Sequence, residues 1–440
     1  MTTRSSDSPR MGRVALASAI GTIVEFYDFT IFGTAVALVF SKVFFPSLGA
    51  AAATALALAT FGVAFLVRPF GAVFFGHFGD RFGRKNTLVA TLLLMGLATV
   101  AIGLLPSAET IGAAAPILLV VLRCVQGLAM GGEWAGATVV TAESAPAHRR
   151  GLYGMYPQLG PSLGFLLSSA TFLLTSVAVT EQQLLAWGWR VPFLASAILI
   201  VVGLAARVAL EEPKSFEQSV SKDSGVRKLP VVDLFREQTK ELVLASGSTI
   251  AVFGLFYLAI TYMASYGIQT LKLGTSTVLL IGMAGGVSLA VTTVLSAMWS
   301  DKIGRKRVLM IGNALCLLAT AALFPIINHG TAGALLLGVV LLQGAIGIAY
   351  GPLGAYLPEL FAARYRYTGA GLSYNIATVI GGALTPIIAS QLIERFGTPS
   401  VGIYTAALCI VSLVALALSK ETRVTASAQP TQVFARPTTL

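Results

Sequence analysis

Charge is scarce in this chain. Asp, Glu, Lys and Arg make up 11% of its 440 residues, against roughly 25% in an ordinary soluble domain. So few charges cannot cover a water-facing surface. Cysteine is nearly missing. Cys124, Cys316 and Cys409 lie far apart, each in an apolar stretch, which excludes a disulfide framework and a cysteine metal cluster. The histidines His77, His148 and His329 stand singly at segment ends or in loops, so no metal site is expected. No G-x-x-x-x-G-K-[S/T] run occurs; nothing points to a nucleotide-driven pump, and no cofactor is expected. The tail has no heptad pattern that would make a coiled coil.

Apolar length is what the chain has instead. It is 55% hydrophobic, with a mean hydropathy of +0.80. A helix that crosses a bilayer needs about 20 mainly apolar residues. Twelve such segments can be drawn, at 14–40, 54–77, 87–105, 113–137, 152–176, 190–210, 241–266, 276–299, 307–327, 333–357, 368–393 and 399–419. Many of the 45 glycines stand four apart, as in Gly127/Gly131 and Gly347/Gly351, a spacing that lets membrane helices approach closely. The polar start with Arg4, Arg10 and Arg13 could introduce a signal peptide, but the apolar stretch behind it is too long and contains Glu25 and Asp28. It is expected to remain as the first helix.

Lysine and arginine set the orientation. One alternating set of connections carries 24 of them, Arg207 included, and the other set carries four. That bias puts both termini in the cytoplasm of a multi-pass cell-membrane protein. The net charge of +11 then faces the anionic inner membrane surface rather than a nucleic acid.

The polar stretch 211–240 divides the segments into six and six. Domain boundaries follow: a cytoplasmic start at 1–13, a six-helix bundle at 14–210, a central loop at 211–240, a second bundle at 241–419 and a tail at 420–440. The halves echo each other. Gly76-His77-Phe78-Gly79-Asp80-Arg81-Phe82-Gly83-Arg84-Lys85 returns 221 residues later around Asp301-Lys302-Ile303-Gly304-Arg305-Lys306. Gln126-Gly127 returns as Gln343-Gly344, the Glu143 region as the Glu359 region, and Glu211-Glu212-Pro213 more loosely as Glu421-Thr422.

The pattern G-x-x-x-D-R-x-G-R-K between segments two and three resembles the loop signature of the major facilitator superfamily. Gly21 to Phe29, Arg123 to Trp134 and Arg364 to Gly369 resemble its metabolite:proton symporter branch. That branch includes carriers of shikimate, proline/betaine, α-ketoglutarate, citrate and dicarboxylates. The resemblance implies an all-α integral membrane fold of twelve transmembrane helices in two pseudo-symmetric six-helix bundles. It implies alternating access and transport, not catalysis. Uptake of a small organic acid or osmolyte with a proton is the first expectation, and the chain is expected to work as a monomer. Gly160-Pro161-Ser162-Leu163-Gly164 partly resembles a motif of drug:proton antiporters, so efflux is an alternative, and an uncoupled facilitator is another.

Charged residues inside the segments are Glu25, Asp28, Arg68, Arg123 and Glu133, all in the first half. An ionised group at mid-bilayer costs at least about 2.5–3.5 kcal/mol unless paired or hydrated. Burial and a neighbouring carboxylate favour a neutral carboxyl group and a nearby arginine favours its ionised form, so a carboxylate with a removable arginine partner is a workable proton switch. The resemblance maps this pairing onto Asp28 (or Glu25) and Arg123; a static ion pair is the alternative. Glu133 could be a second proton relay or a partner of Arg68. The resemblance also makes Gly76, Asp80, Arg81, Gly83, Arg84, Lys85 and Glu143, with Asp301, Gly304, Arg305, Lys306 and Glu359, an inner gate. Each loop acid would cap a neighbouring helix, and the basic residues would pair with Glu143 and Glu359. Polar and aromatic candidates for the solute site are Tyr27, Gln126, Trp134, Tyr156, Gln158, Tyr257, Tyr262, Gln343, Tyr374 and Asn375. If the solute is an anion, Arg123 is the expected counter-charge.

Overall fold

The computed structural model describes residues 8–208, 230–397 and 399–423, and among these it is helical with no strand. Twelve helices are long and apolar enough to cross a membrane: α1 (Met11–Phe44), α2 (Ala52–Asp80), α3 (Arg84–Leu104), α4 (Ala114–Ser144), α5 (Ala147–Ala178), α6 (Arg190–Val208), α7 (Thr239–Gln269), α8 (Thr275–Ile303), α9 (Arg305–Ile327), α10 (Ala332–Leu360), α11 (Ala363–Ile393) and α12 (Pro399–Leu418). Each expected segment falls on one of them. Several run past the apolar stretch, because backbone hydrogen bonding continues until a residue breaks it. Gly83 and Gly304 end α2 and α8 at φ +114° and +111°, a conformation that costs a residue without a Cβ little. Of the central loop, the short helix Pro230–Glu237 is described; Glu211 and Glu212 lie outside the described residues.

The same packing plan occurs twice. In the first half α2 and α3 both pack on α4, α3 on α6, and α1 on α5 and α6; in the second half α8 and α9 pack on α10, α9 on α12, and α7 on α11 and α12. The halves meet along α2–α11 and its counterpart α8–α5. Inside lipid no hydrophobic force drives helices together, so close van der Waals packing must. Gly131 shows how close it is: a Cβ there would collide with the Arg68 carbonyl and the backbone of Ala72 on α2. The outward faces carry exposed apolar side chains such as Leu97, Leu174, Ile198, Leu318 and Ile403.

Among the described residues, four helical stretches loosen into π turns. One is near the far end of α1 (Val36–Phe40) and one near the far end of α7 (Leu258–Tyr262). Another lies in α11 (Thr378–Ala383) and one just before α6 (Leu184–Gly188). Among the described residues, the helix ends that carry the basic loops contain none.

Candidate functional site

At the face that carries the basic loops, the two halves are tied by reciprocal contacts. Asp80 of the first half accepts hydrogen bonds from the N–H (3.2 Å) and the hydroxyl (3.0 Å) of Thr368, in the opening turns of α11. Asp301 of the second half accepts from the N–H groups of Gly151 (2.9 Å) and Leu152 (2.8 Å), in the opening turns of α5. Each loop acid thus satisfies donors that a helix N-terminus leaves over and sits at the positive end of its dipole. Gly76 faces Thr368 so closely that a Cβ there would clash.

The acids after α4 and α10 complete the pattern. Glu143 pairs with Arg84 of its own half and with Arg366 of the other, the latter at 2.9 Å. Glu359 pairs with Arg305 of its own half at 3.6 Å and with Arg150 of the other at 3.9 Å. Lys306 donates to the carbonyls of Ala417 and Ser419 at the end of α12. Lys85 stands in the first turn of α3, and the Arg81 side chain lies outside the described residues. Glu421, absent from the expected gate, accepts from the N–H groups of Arg305 (2.9 Å) and Lys306 (3.2 Å), and Thr422 donates to Glu359 (2.7 Å). The loose echo around Glu421 was the one trace of these contacts in the sequence.

The interior of the first half holds the other charges. Glu25 and Asp28 are each 1% exposed. Asp28 does not touch Arg123. Thr99 donates to Asp28 (2.6 Å), Gln126 donates to Thr99 (2.7 Å), and Arg123 donates to Gln126 (2.9 Å). A direct ion pair is therefore replaced by a relay of four side chains from α1, α3 and α4. Phe32 covers the Arg123 guanidinium at 3.8 Å. Gln126 serves this relay rather than standing free for a solute.

Glu133 is the partner of neither Arg68 nor open space. It pairs with Arg207 (Nη1 to Oε2, 2.8 Å) and accepts from Thr91 (2.7 Å). Arg207 was assigned to a loop by the charge count. The structure buries it at 1% exposure, where it also donates to the Leu88 carbonyl. Gly21 makes room for it: a Cβ there would overlap the guanidinium. Arg68 lies against Phe29 and Phe65, with Met130 as a hydrogen-bond acceptor.

An aromatic and amide group joins the halves at mid-depth. Trp134 of α4 stacks on Tyr374 of α11 at 3.8 Å and donates to Gln158 of α5 (2.7 Å). Gln158 donates to the Tyr350 carbonyl (2.9 Å). The hydroxyls of Tyr350 and Tyr374 lie 3.0 Å apart, and Asn375 donates to the Gly131 carbonyl (3.0 Å). Tyr350 was not among the expected residues. Tyr257 sits edge-on to Phe29 and Phe65. Gln343 is buried with its Oε1 unpartnered. Three candidates are placed elsewhere. Tyr27 donates to the Pro192 carbonyl on α6 (2.9 Å), Tyr156 stacks on Tyr153, and Tyr262 packs on Tyr266. Beside the group runs a narrow apolar crevice between the halves, lined by Phe26 and Pro161 on one side and Phe253, Phe256 and Tyr350 on the other.

Known proteins resemble this chain over most of its length. The inner membrane metabolite transport protein YhjE of Escherichia coli (strain K12) is 42% identical over 416 residues, 93% of this chain and 94% of that protein. The shikimate transporter of the same organism is 38% identical over 421 residues, 94% of this chain and 95% of its own length. Its proline/betaine transporter is 33% identical over 425 residues, 94% of this chain and 85% of that one. Among solved structures, the proton:xylose symporter XylE bound to 6-bromo-6-deoxy-D-glucose overlays with a TM-score of 0.78 at 20% identity, covering 95% of this chain and 97% of that one. The family model described as Major Facilitator Superfamily matches residues 18–372 and again 287–439. With its duplicated six-helix plan and reciprocally capped loops, the chain belongs to the major facilitator superfamily.

Proposed function

We propose that this chain is a proton-coupled symporter that takes up a small organic solute by alternating access. Membership of the superfamily makes it a membrane transporter of small solutes, not an enzyme. The finer reading rests on one observation: two carboxyl groups, Glu25 and Asp28, lie buried on α1, each with one oxygen lacking a hydrogen-bond partner. A proton carrier must pick up and release a proton at a titratable group inside the bundle, and these two carboxyl groups each leave an oxygen free for one. Asp28 would signal its state to α3 and α4 through Thr99, Gln126 and Arg123. The moving bodies are the bundles 14–210 and 241–419, and the reciprocal caps hold the loop face shut until they rock apart. We place that face, and both termini, in the cytoplasm, and take the monomer as the working unit. The solute class follows the named relatives: an organic acid such as shikimate, α-ketoglutarate or a dicarboxylate, or an osmolyte such as proline or betaine.

The test is uptake into proteoliposomes with these solutes, under an inward proton gradient and in counterflow. Wild type is expected to accumulate its solute against a gradient. Asp28→Asn is expected to keep counterflow exchange and lose accumulation. Undiminished accumulation by both Asp28→Asn and Glu25→Gln would sink the proton assignment. Accumulation only in everted vesicles would establish efflux, and equilibration without accumulation an uncoupled facilitator.

A further inference from the structure

The two acids after α4 and α10 have matching partners but unequal grips. Glu143 holds Arg84 closely and Arg366 at 2.9 Å. Glu359 stands 3.6 Å from Arg305 and 3.9 Å from Arg150, beyond the roughly 2.7–2.9 Å of a charge-assisted hydrogen bond. Of these two arginines, Arg305 also bonds Asp301 at 2.7 Å. Arg150 has less. Among the described residues its one ion pair is the long contact with Glu359, and its Nε is buried without a hydrogen-bond partner. A buried donor without an acceptor is costly.

Beside this loose contact lies a cavity of about 100 Å³, well above the roughly 15 Å³ that one water needs. Its walls are Ala142 of α4, Arg150 of α5, Pro358 and Glu359 of α10, Arg366 of α11, and Thr422 beyond α12. The walls correspond between the halves. Ala142 precedes Glu143 as Pro358 precedes Glu359. Arg150 and Arg366 each follow a 3-10 turn and open the helix behind it. The cavity therefore stands on the seam, with one arginine from each half. Arg150 is 30% exposed, so water at the loop face reaches it. Thr422 spends its hydroxyl on Glu359. The walls thus carry two positive charges against one negative.

We propose that this cavity binds a phosphate-type oxyanion, drawn from the water at the loop face, which bridges Arg150 and Arg366 and locks the two halves together. A guanidinium fork matches phosphate oxygens. The two forks belong to different helices, and a tetrahedral oxyanion has oxygens to turn toward both. It supplies the acceptor that Arg150 lacks. Glu359 opposes the ligand by its charge, and Arg305 and Thr422 offset part of that opposition. A ligand that touches both halves binds while they are together and loses one side when they part, so it favours the shut form. A lipid headgroup offers the same chemistry, but the walls belong to helices that line the seam, which favours the route through water. Binding needs neither the proton nor the transported solute; only the lock rests on the alternating access proposed above.

The experiment is a calorimetric titration of inorganic phosphate into the purified full-length protein, in lipid-free detergent and in phosphatidylcholine nanodiscs, against sodium chloride at matched ionic strength. Wild type is expected to bind phosphate saturably in both settings. Arg150→Gln should bind it at least about ten-fold more weakly, and Glu359→Gln more tightly. General screening of surface charge does not produce that opposite pair of shifts. Spin labels at the exposed positions Ala147 and Lys302 should report a larger shut population with phosphate in wild type and no change in Arg150→Gln. The ligand-free melting temperature of each variant checks its fold. The site is overturned if wild type binds no phosphate, or if folded Arg150→Gln binds it as wild type does. Should Arg150→Gln fail to fold, Glu359→Gln decides: unchanged or weaker binding overturns the site. Binding in detergent that vanishes in nanodiscs would overturn the soluble source and assign the cavity to a lipid headgroup. Binding that leaves the label distances of wild type unchanged would overturn the lock.

Discussion

The interiors of α1–α6 and α7–α12 differ far more than their folds. The first contains Glu25, Asp28, Arg68, Arg123, Glu133 and Arg207, all buried. In the second, among the described residues, the one buried charge is Arg305, and it belongs to the loop face. Its remaining buried polar groups are neutral, such as Gln343, Tyr350, Tyr374 and Asn375. At the loop face the halves are instead interchangeable: Asp80 caps α11 as Asp301 caps α5, and Glu143 and Glu359 each take one arginine from either half. On the gating proposed above, a closure made and broken between two bodies uses matching parts on both. A buried charge is expensive wherever it is placed, so a duty that one half can perform need not be duplicated.

Removing one member of the buried first-half pair should have the largest effect. Glu133→Ala leaves Arg207 buried and unpaired, at a cost of about 3–5 kcal/mol, visible as a lower melting temperature of the purified protein. Replacing both, as Glu133→Gln with Arg207→Met, should restore most of that loss. A wild-type melting temperature for Glu133→Ala would mean that the charged interior organises nothing. The caps come next. Asp80→Asn and Asp301→Asn should each weaken a helix cap by about 1 kcal/mol. That is about a five-fold shift toward forms open at the loop face, measured as the distance distribution between spin labels at the exposed positions His148 and Lys302. The two shifts should agree in size; one large and one negligible would break the equivalence of the loops. Smallest is the exposed pair Lys42–Glu181 at 3.4 Å on the far face. Lys42→Ala should change stability by less than about 0.5 kcal/mol, and not at all in high salt.

Most of the fold was legible because a bilayer leaves few choices: twelve apolar lengths become twelve helices, and their charged ends declare themselves. The loop acids were legible because the same spacing of Asp to Gly occurs twice. Arg207 was not. It stands at the end of an apolar stretch, where a basic residue ordinarily marks the membrane surface, and the space that admits it is made by Gly21 on another helix. The link from Asp28 to Arg123 was hidden for a similar reason. Periodicity shows which residues share a face of one helix, as Arg123 and Gln126 do three apart, but not how neighbouring helices are rotated about their axes. Thr99 therefore gave no sign of its position, and Tyr27 looked as available to a solute as Tyr374.

The π turns near the far ends of α1 and α7 carry a mechanical consequence. A π turn winds an extra residue into the coil and interrupts the regular ladder of backbone hydrogen bonds, so a rod bends there more easily than along its regular stretches. One such joint occurs in the leading helix of each half, and among the described residues none where the basic loops are fastened. If transport runs by the alternating access proposed above, the two mouths of the pathway are therefore built to yield differently. On the alternating-access proposal, one parts only when whole bundles separate and several ionic clasps let go together, while the other flexes near the ends of α1 and α7.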